Sequence, residues 1–139
     1  MVSNNSKSLP LEGLRILDLT VVWAGPYATQ IFGDWGAEII RVESIKHFPA
    51  TTRGMVMRPT KAMVSQKGSL SAYPNRDPGE RPWNRTASFN AHARNKKSMT
   101  VDMTKPEGQK VFDELLKISD IVIENNVPVS MDRINVNWE

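Results

Sequence analysis

Five cations in the second half of the chain could act on a polyanion. Arg94, Lys96 and Lys97 stand together just ahead of an alternating stretch, and Lys105 and Arg133 lie near the ends of later elements. Each alone reads as a solvated surface charge. Gathered around one sheet edge they could neutralise phosphates, because a compact polyanion needs several cations at once. Other reactive side chains are sparse. The absence of cysteine from the sequence excludes disulfides, thiolate zinc sites and thiol nucleophiles within it. Only His47 and His92 carry imidazoles, at no metal-ligand spacing, so no metal site is expected. Both lie beside long-loop segments and read as exposed rather than catalytic, with no recognisable Ser or Asp partner. Asp18 and Asp120 sit within or at the start of strand runs and read as makers of structural hydrogen bonds.

Elements that could position these residues follow from apolar periodicity. Residues 14–19, LRILDL, form a short, mostly apolar run that reads as a strand buried on both faces. Gly25-Pro26 stops it, and proline suits the first turn of a helix. The spacing therefore predicts a helix over 26–35, with Ala28, Ile31, Phe32 and Trp35 on one face and Gly36 as its left-handed cap. Residues 37–43, AEIIRVE, read as a second strand, giving a βαβ unit with parallel pairing and a right-handed crossover.

The segment 44–93 carries five prolines and no sustained apolar period, so it reads as a long loop or insertion. One short helical turn is expected around 61–66, and the segment could serve as a lid or a substrate-selecting loop. Order resumes at 96–103, a half-covered strand. Thr104 and Glu107 then read as a capping box with Pro106 in the first turn, opening a helix to about Ile118 with Val111, Phe112, Leu115 and Leu116 on one face. Residues 120–124 form a fourth strand and a second βαβ unit. A loop follows over 125–128, and Ser130 is expected to cap one helical turn through Ile134.

The length of 139 residues, with 40% hydrophobic and 24% charged content, fits one domain. No apolar run approaches the roughly 18 residues of a membrane span, and the first eight residues lack a secretory apolar segment. The expectation is a cytoplasmic protein with a flexible leader at 1–8. A net charge of +3 fits a nucleic-acid binder or a binder of small polyanions equally.

In an open parallel sheet, ligands gather at the carboxyl ends of the strands, here 20–26, 43–46, 102–105 and 125–128. The first of these loops lacks both the dinucleotide G-x-G-x-x-G and the phosphate-loop pattern, so neither a nicotinamide site nor a nucleotide triphosphatase is supported. On spacing alone Trp23-Ala24-Gly25-Pro26 reads as a turn, with Trp23 either packing or stacking on a ligand.

Five stretches in order carry a resemblance. They are LPLEGLRILDLT (9–20), WAGPYATQIFGDWGAEIIRVE (23–43), TRG (52–54), RNKKSMTVDMTKPEGQ (94–109), and SDIVIENNVP (119–128) with MDRI after it. Together they resemble the start of the class III CoA-transferases, the group that includes formyl-CoA and carnitine CoA-transferases. The resemblance implies an α/β, Rossmann-like CoA-binding region over 9–139, part of a larger two-domain enzyme whose subunits interlock as a homodimer.

It also implies CoA transfer between an acyl-CoA and a carboxylic acid through an aspartyl anhydride and an enzyme-CoA thioester. The family's aspartate falls beyond Glu139 and no Asp here matches it. Position by position, Val22, Trp23 and Ala24 match the segment lining CoA, and Val101, Asn125 and Asn126 match positions flanking its adenine. Arg133 matches a phosphate-contacting arginine. Ser44 stands where some members have an arginine, with Lys46 the nearest cation, and Lys105 is one place from a family lysine. The resemblance implies CoA or acyl-CoA as substrate, no tightly bound cofactor, and neither membrane nor nucleic acid as partner. The alternative is a non-catalytic basic α/β module that binds nucleotides or nucleic acid.

Overall fold

The computed structural model describes residues 8–44, 46–47, 49–54, 56–66 and 73–136. The leader expected at 1–8 lies outside the described residues apart from Ser8. Four strands, β1 (Arg15–Asp18), β2 (Glu38–Glu43), β3 (Lys96–Thr100) and β4 (Ile121–Ile123), form one sheet in the order β3-β2-β1-β4. All three pairings are parallel. The first βαβ unit therefore pairs as expected. The second spans the sheet, since β3 and β4 occupy opposite edges and the helix between them, α5 (Pro106–Lys117), crosses two strands.

Alternation along the strands divides the core. Ile16, Ala37 and Ile39 pack with Phe32 of α1 (Ala24–Asp34) on one face. Leu17, Leu19 and Val42 pack with Phe112 of α5 and Met131 of α6 (Pro128–Arg133) on the other. Phe112 is 1% exposed, and burying such a ring contributes about 1.5–3 kcal/mol. The apolar stripe read on α5 is narrower than expected, because Val111 and Leu116 are exposed.

Helix ends depart from the sequence reading in two places. The N-cap of α5 is Lys105 rather than Thr104, and no side chain caps it. Asp102 has taken the Thr104 hydroxyl at 2.6 Å, along with its N–H at 3.2 Å, in a turn of the Asx kind. Ser130 lies inside α6, which starts at Pro128 after an uncapped Val127. Proline at the first helical position accounts for both shifts. Gly36 is left-handed as expected, at φ +103°.

The 44–93 segment is more ordered than its composition suggests. It holds α2 (Ala50–Arg53), α3 (Lys61–Ser65) and α4 (Ala87–Ala93), besides two short 3-10 turns. The expected turn at 61–66 is α3, capped by the Thr60 hydroxyl. Helices α2 and α4 were invisible to periodicity because four and seven residues are too few to display it.

Helix α4 packs on α1 and carries His92 inward, only 1% exposed, which corrects the reading of that histidine as a surface group. Its Nδ1 lies 2.7 Å from the Ser88 carbonyl and so carries the proton. His47 is exposed, as expected.

In the basic cluster ahead of β3, Arg94 and Lys97 are surface charges as expected, and the reading of Lys96 is corrected. Arg94 is paired with Asp34 at 2.7 Å and Lys97 with Glu38 at 2.5 Å. Lys96 is buried, its ammonium 2.8 Å from Asp18, 2.8 Å from the Pro26 carbonyl and 2.7 Å from the Thr29 hydroxyl. Burial lowers the Lys96 pKa, partly offset by Asp18. Asp18 and Asp120 make the structural bonds expected of them, Asp120 accepting the Arg15 N–H at 2.8 Å.

Replacing Lys96 with Met would leave the fully buried Asp18 carboxylate without its counter-charge, and chemical denaturation should show a loss of about 3–5 kcal/mol. Burial, followed by the charges of Lys96 and Arg41, pushes the His92 imidazole below its ordinary pKa of 6.5, although the Ser88 bond opposes it. The unfolded chain then binds the extra proton first as pH falls. The His92 contribution to stability is complete above pH 6.5 and declines as pH drops from there toward the folded value. Thermal melts from pH 7 to 5 should show this slope, and His92→Gln should flatten it.

Candidate functional site

The strand order places a topological switch point between β1 and β4, where the chain leaves β1 toward one edge and arrives at β4 toward the other. Two asparagines after β4 close it. The Asn125 amide grips Val21 at both ends, accepting its N–H at 2.8 Å and donating to its carbonyl at 3.0 Å. Asn126 donates to the Leu19 carbonyl at 3.0 Å. β1 is thereby prolonged past its last ladder residue into the loop that leads to α1.

That loop turns sharply. Val22 has φ +69°, a costly conformation for a β-branched residue, and its carbonyl accepts the Thr52 hydroxyl at 3.2 Å. Gly25 then runs so close to the exit of β1 that a Cβ there would lie 2.5 Å from Thr20 Cβ and 3.1 Å from Asn125 Cγ. Only glycine permits this approach. Trp23-Ala24-Gly25-Pro26 is therefore a turn with a tight steric reason. Trp23 is 58% exposed, with its ring edge-on to His92 at 4.4 Å, so it both packs and presents a free face.

Beside the switch point, a cleft of about 410 Å³ opens across the carboxyl ends of β1, β2 and β3 and against α6. Among its walls are Val101, Asn126 and Arg133, with Thr20, Arg41, Glu43, Ser44 and Asp102. The Gln109 amide donates to the carbonyls of both Met103 and Ile134, fixing the end of α6 that carries Arg133 against α5. Of the eight residues singled out from sequence, three line this cleft. Asn125 faces the backbone of Val21, Val22 to Ala24 form the turn next to it, and Lys105 sits exposed at the start of α5.

Charge at the cleft is largely committed. Arg41, 3% exposed along its side chain, lies 3.2 Å from Glu43. Arg53 from α2 meets the same carboxylate with two nitrogens, and Ser98 donates to it at 2.8 Å. Burial raises the Glu43 pKa, but the Arg53 bonds and the charges of Arg41 and Arg53 outweigh it, so Glu43 stays ionised. At the rim Lys46 binds Asp102 at 2.6 Å. That bond and the Thr104 hydroxyl hold the Asp102 carboxyl at about 2. No carboxylate among the described residues pairs with Arg133 or Lys105.

Sequence reasoning missed Arg41 and Glu43. Their signal was a pair of charges alternating within the otherwise apolar EIIRVE strand. Among the described residues no cluster of three or more His, Cys, Asp and Glu could hold a metal, and no helix is long and apolar enough to cross a membrane.

The sequence and the fold are similar to those of known proteins. The chain is 35% identical over 138 residues to an acyl-CoA transferase of Fusarium pseudograminearum, covering 99% of this chain and 27% of that protein. It is 35% identical over 129 residues to a formyl-CoA:oxalate CoA-transferase of a Bradyrhizobium species, covering 93% of this chain and 25% of that protein. The crystal structure of a CAIB/BAIF family protein from Brucella suis superposes with a TM-score of 0.68 at 30% identity, covering 95% of this chain and 30% of that one. The chain thus spans about a quarter of the length of the curated relatives it matches. The model of CoA-transferase family III matches residues 11–139. The chain belongs to CoA-transferase family III.

Proposed function

We propose that this chain supplies the CoA-binding region of a cytoplasmic enzyme that moves CoA between an acyl-CoA and a carboxylic acid, working as an interlocked homodimer. The observation that carries the reading is the cleft at the carboxyl ends of the strands, with Arg133 on its wall and no carboxylate among the described residues paired with it. A CoA molecule joins an adenine, apolar on its faces and polar at its edge, to several phosphates and a pantetheine arm. Val101 and Asn126 offer the adenine a mixed wall, and Arg133, with Lys105 near the start of α5, offers the phosphates uncommitted charge. From the cleft the turn of Val22, Trp23 and Ala24 continues past the switch point, where the pantetheine arm and its thioester would run.

Transfer in this reading uses a carboxylate that attacks the thioester, expels CoA thiolate and becomes an anhydride. The thiolate then attacks the enzyme's carbonyl of that anhydride, releasing the donor carboxylate and leaving an enzyme thioester. The acceptor carboxylate expels CoA thiolate from it to form a second anhydride, and thiolate attack on the acceptor's carbonyl gives the new acyl-CoA and restores the enzyme carboxylate. Glu43 and Asp102 are both tied into ion pairs at the cleft, and Asp18 is fully buried against Lys96. None of the three is poised as that nucleophile, in keeping with the resemblance, which puts the reacting aspartate beyond Glu139.

Calorimetry with CoA and with 3′-dephospho-CoA tests the proposal on this chain. Arg133→Ala should weaken CoA about tenfold, the loss of one charge-assisted bond of roughly 1.5 kcal/mol. Failure of both ligands to give heat at millimolar concentration would overturn a CoA site here. Steeply salt-dependent retention of oligonucleotides in its place would favour a nucleic-acid module.

A further inference from the structure

The Thr52-Arg53-Gly54 triplet carries part of the family resemblance yet contributes no wall residue to the cleft beside the switch point. Its arginine is wholly occupied. Beyond its bonds to Glu43, Arg53 Nη1 donates to the Trp83 carbonyl at 3.2 Å and to Asn84 Oδ1 at 2.7 Å, and the guanidinium lies 4.1 Å from the centre of the Phe89 ring. The triplet is thus anchored to β2 and to the segment beyond it. Thr52 stands on that anchor, fully buried, its N–H bonded to the Pro49 carbonyl at 2.9 Å and its carbonyl receiving the Ser88 hydroxyl at 3.4 Å. One group remains, and the hydroxyl spends its proton on the Val22 carbonyl.

We propose that Thr52 is a positioning residue that holds Val22 in its left-handed conformation and so aims the Val22-Trp23-Ala24 turn. The functional half of this inference rests on the CoA-binding reading above. Val21 is fixed by Asn125 and Gly25 by its packing on Thr20. Between them, the Val22 peptide is held among the described residues by Thr52 alone. A left-handed β-branched residue persists only where its surroundings over-determine it. The same segment grips the next residue, since His92 meets the Trp23 ring edge-on at 4.4 Å. Releasing the Val22 carbonyl lets its peptide rotate toward extended backbone, which swings Trp23 and re-aims the first N–H groups of α1, a helix that no side chain caps.

Thr52→Val removes the donor while keeping the shape, and Thr52→Ser restores the hydroxyl. In the ligand-free chain, the Val22 backbone carbon shifts and the Trp23 indole resonance should move in the valine variant and stay near wild type in the serine variant. CoA affinity should fall about three- to tenfold in the valine variant, the size of one net hydrogen bond, and return with serine. The inference is overturned if valine leaves the Val22 and Trp23 resonances in place, or if serine moves them as far. If wild type shows no CoA heat, the binding reading fails while the resonances still decide the role of Thr52. If the valine variant does not fold, adding Val22→Gly, which accepts φ near +69° freely, should restore the fold. A double variant that stays unfolded would overturn the proposal.

Discussion

One ion pair taken out of water organises the rest of the molecule. The Asp18 and Lys96 side chains are 0% and 2% exposed, and charges so placed persist only when every remaining hydrogen-bonding position is filled. Here they are filled by the parts of the chain that need fixing. Asp18 takes the N–H and hydroxyl of Thr20 at the exit of β1 and the hydroxyl of Thr29 on α1, while Lys96 takes the Pro26 carbonyl in the first turn of that helix. Central strand, edge strand and crossover helix are locked through four side chains, and the direction in which the chain leaves β1 is set before any ligand contact is considered.

The pair also dictates what covers the sheet. With Asp18 opposite Arg41, and Arg41 opposite Ser98, the carboxyl-terminal half of one face is polar. Bare sheet of this kind would leave Glu43 half satisfied, and Arg53 of α2 completes it, while α4 lays His92 over the same face. Arg53 brings the second cation to Glu43, and burial, followed by the charges of Lys96 and Arg41, lowers the His92 pKa against the opposing Ser88 bond. The opposite face, lined by Leu17, Val42 and Met103, stays apolar and forms a conventional seat for α5.

What could be read in the sequence was whatever repeats. β1, α1, β2 and α5 announced themselves by apolar period, and the carboxyl ends of the strands, where the cleft opens, were singled out by parallel topology alone. Position-specific burial did not repeat and was lost. Lys96 sits at the start of a strand with exposed neighbours at 97 and 98, a setting that in sequence means a surface lysine, and only the fold brings Asp18 beneath it. His92 was misread for the same reason, since α4 is a single short helix in a proline-rich stretch. Asn125 matches an adenine-flanking position by resemblance, while in the fold its amide holds Val21, a distinction that needs the geometry of two loops 104 residues apart.

Commitment of charge narrows what the cleft can recognise. A net +3 spread evenly would attract any polyanion, and sequence alone could not choose among them. In the fold, Arg15, Lys97 and Arg94 are taken by Glu38 and Asp34, Lys46 by Asp102, and Arg41 and Arg53 by Glu43. Each such pair removes its own contribution to the field that non-specific polyelectrolyte binding depends on, leaving only the net excess of +3. Among the described residues lining the carboxyl-end cleft, the cation left over is Arg133 on α6, while Lys105 stands exposed outside it at the start of α5. One or two uncommitted cations beside a mixed wall match a compact ligand with few phosphates and an apolar arm better than an extended backbone bearing one charge at every step.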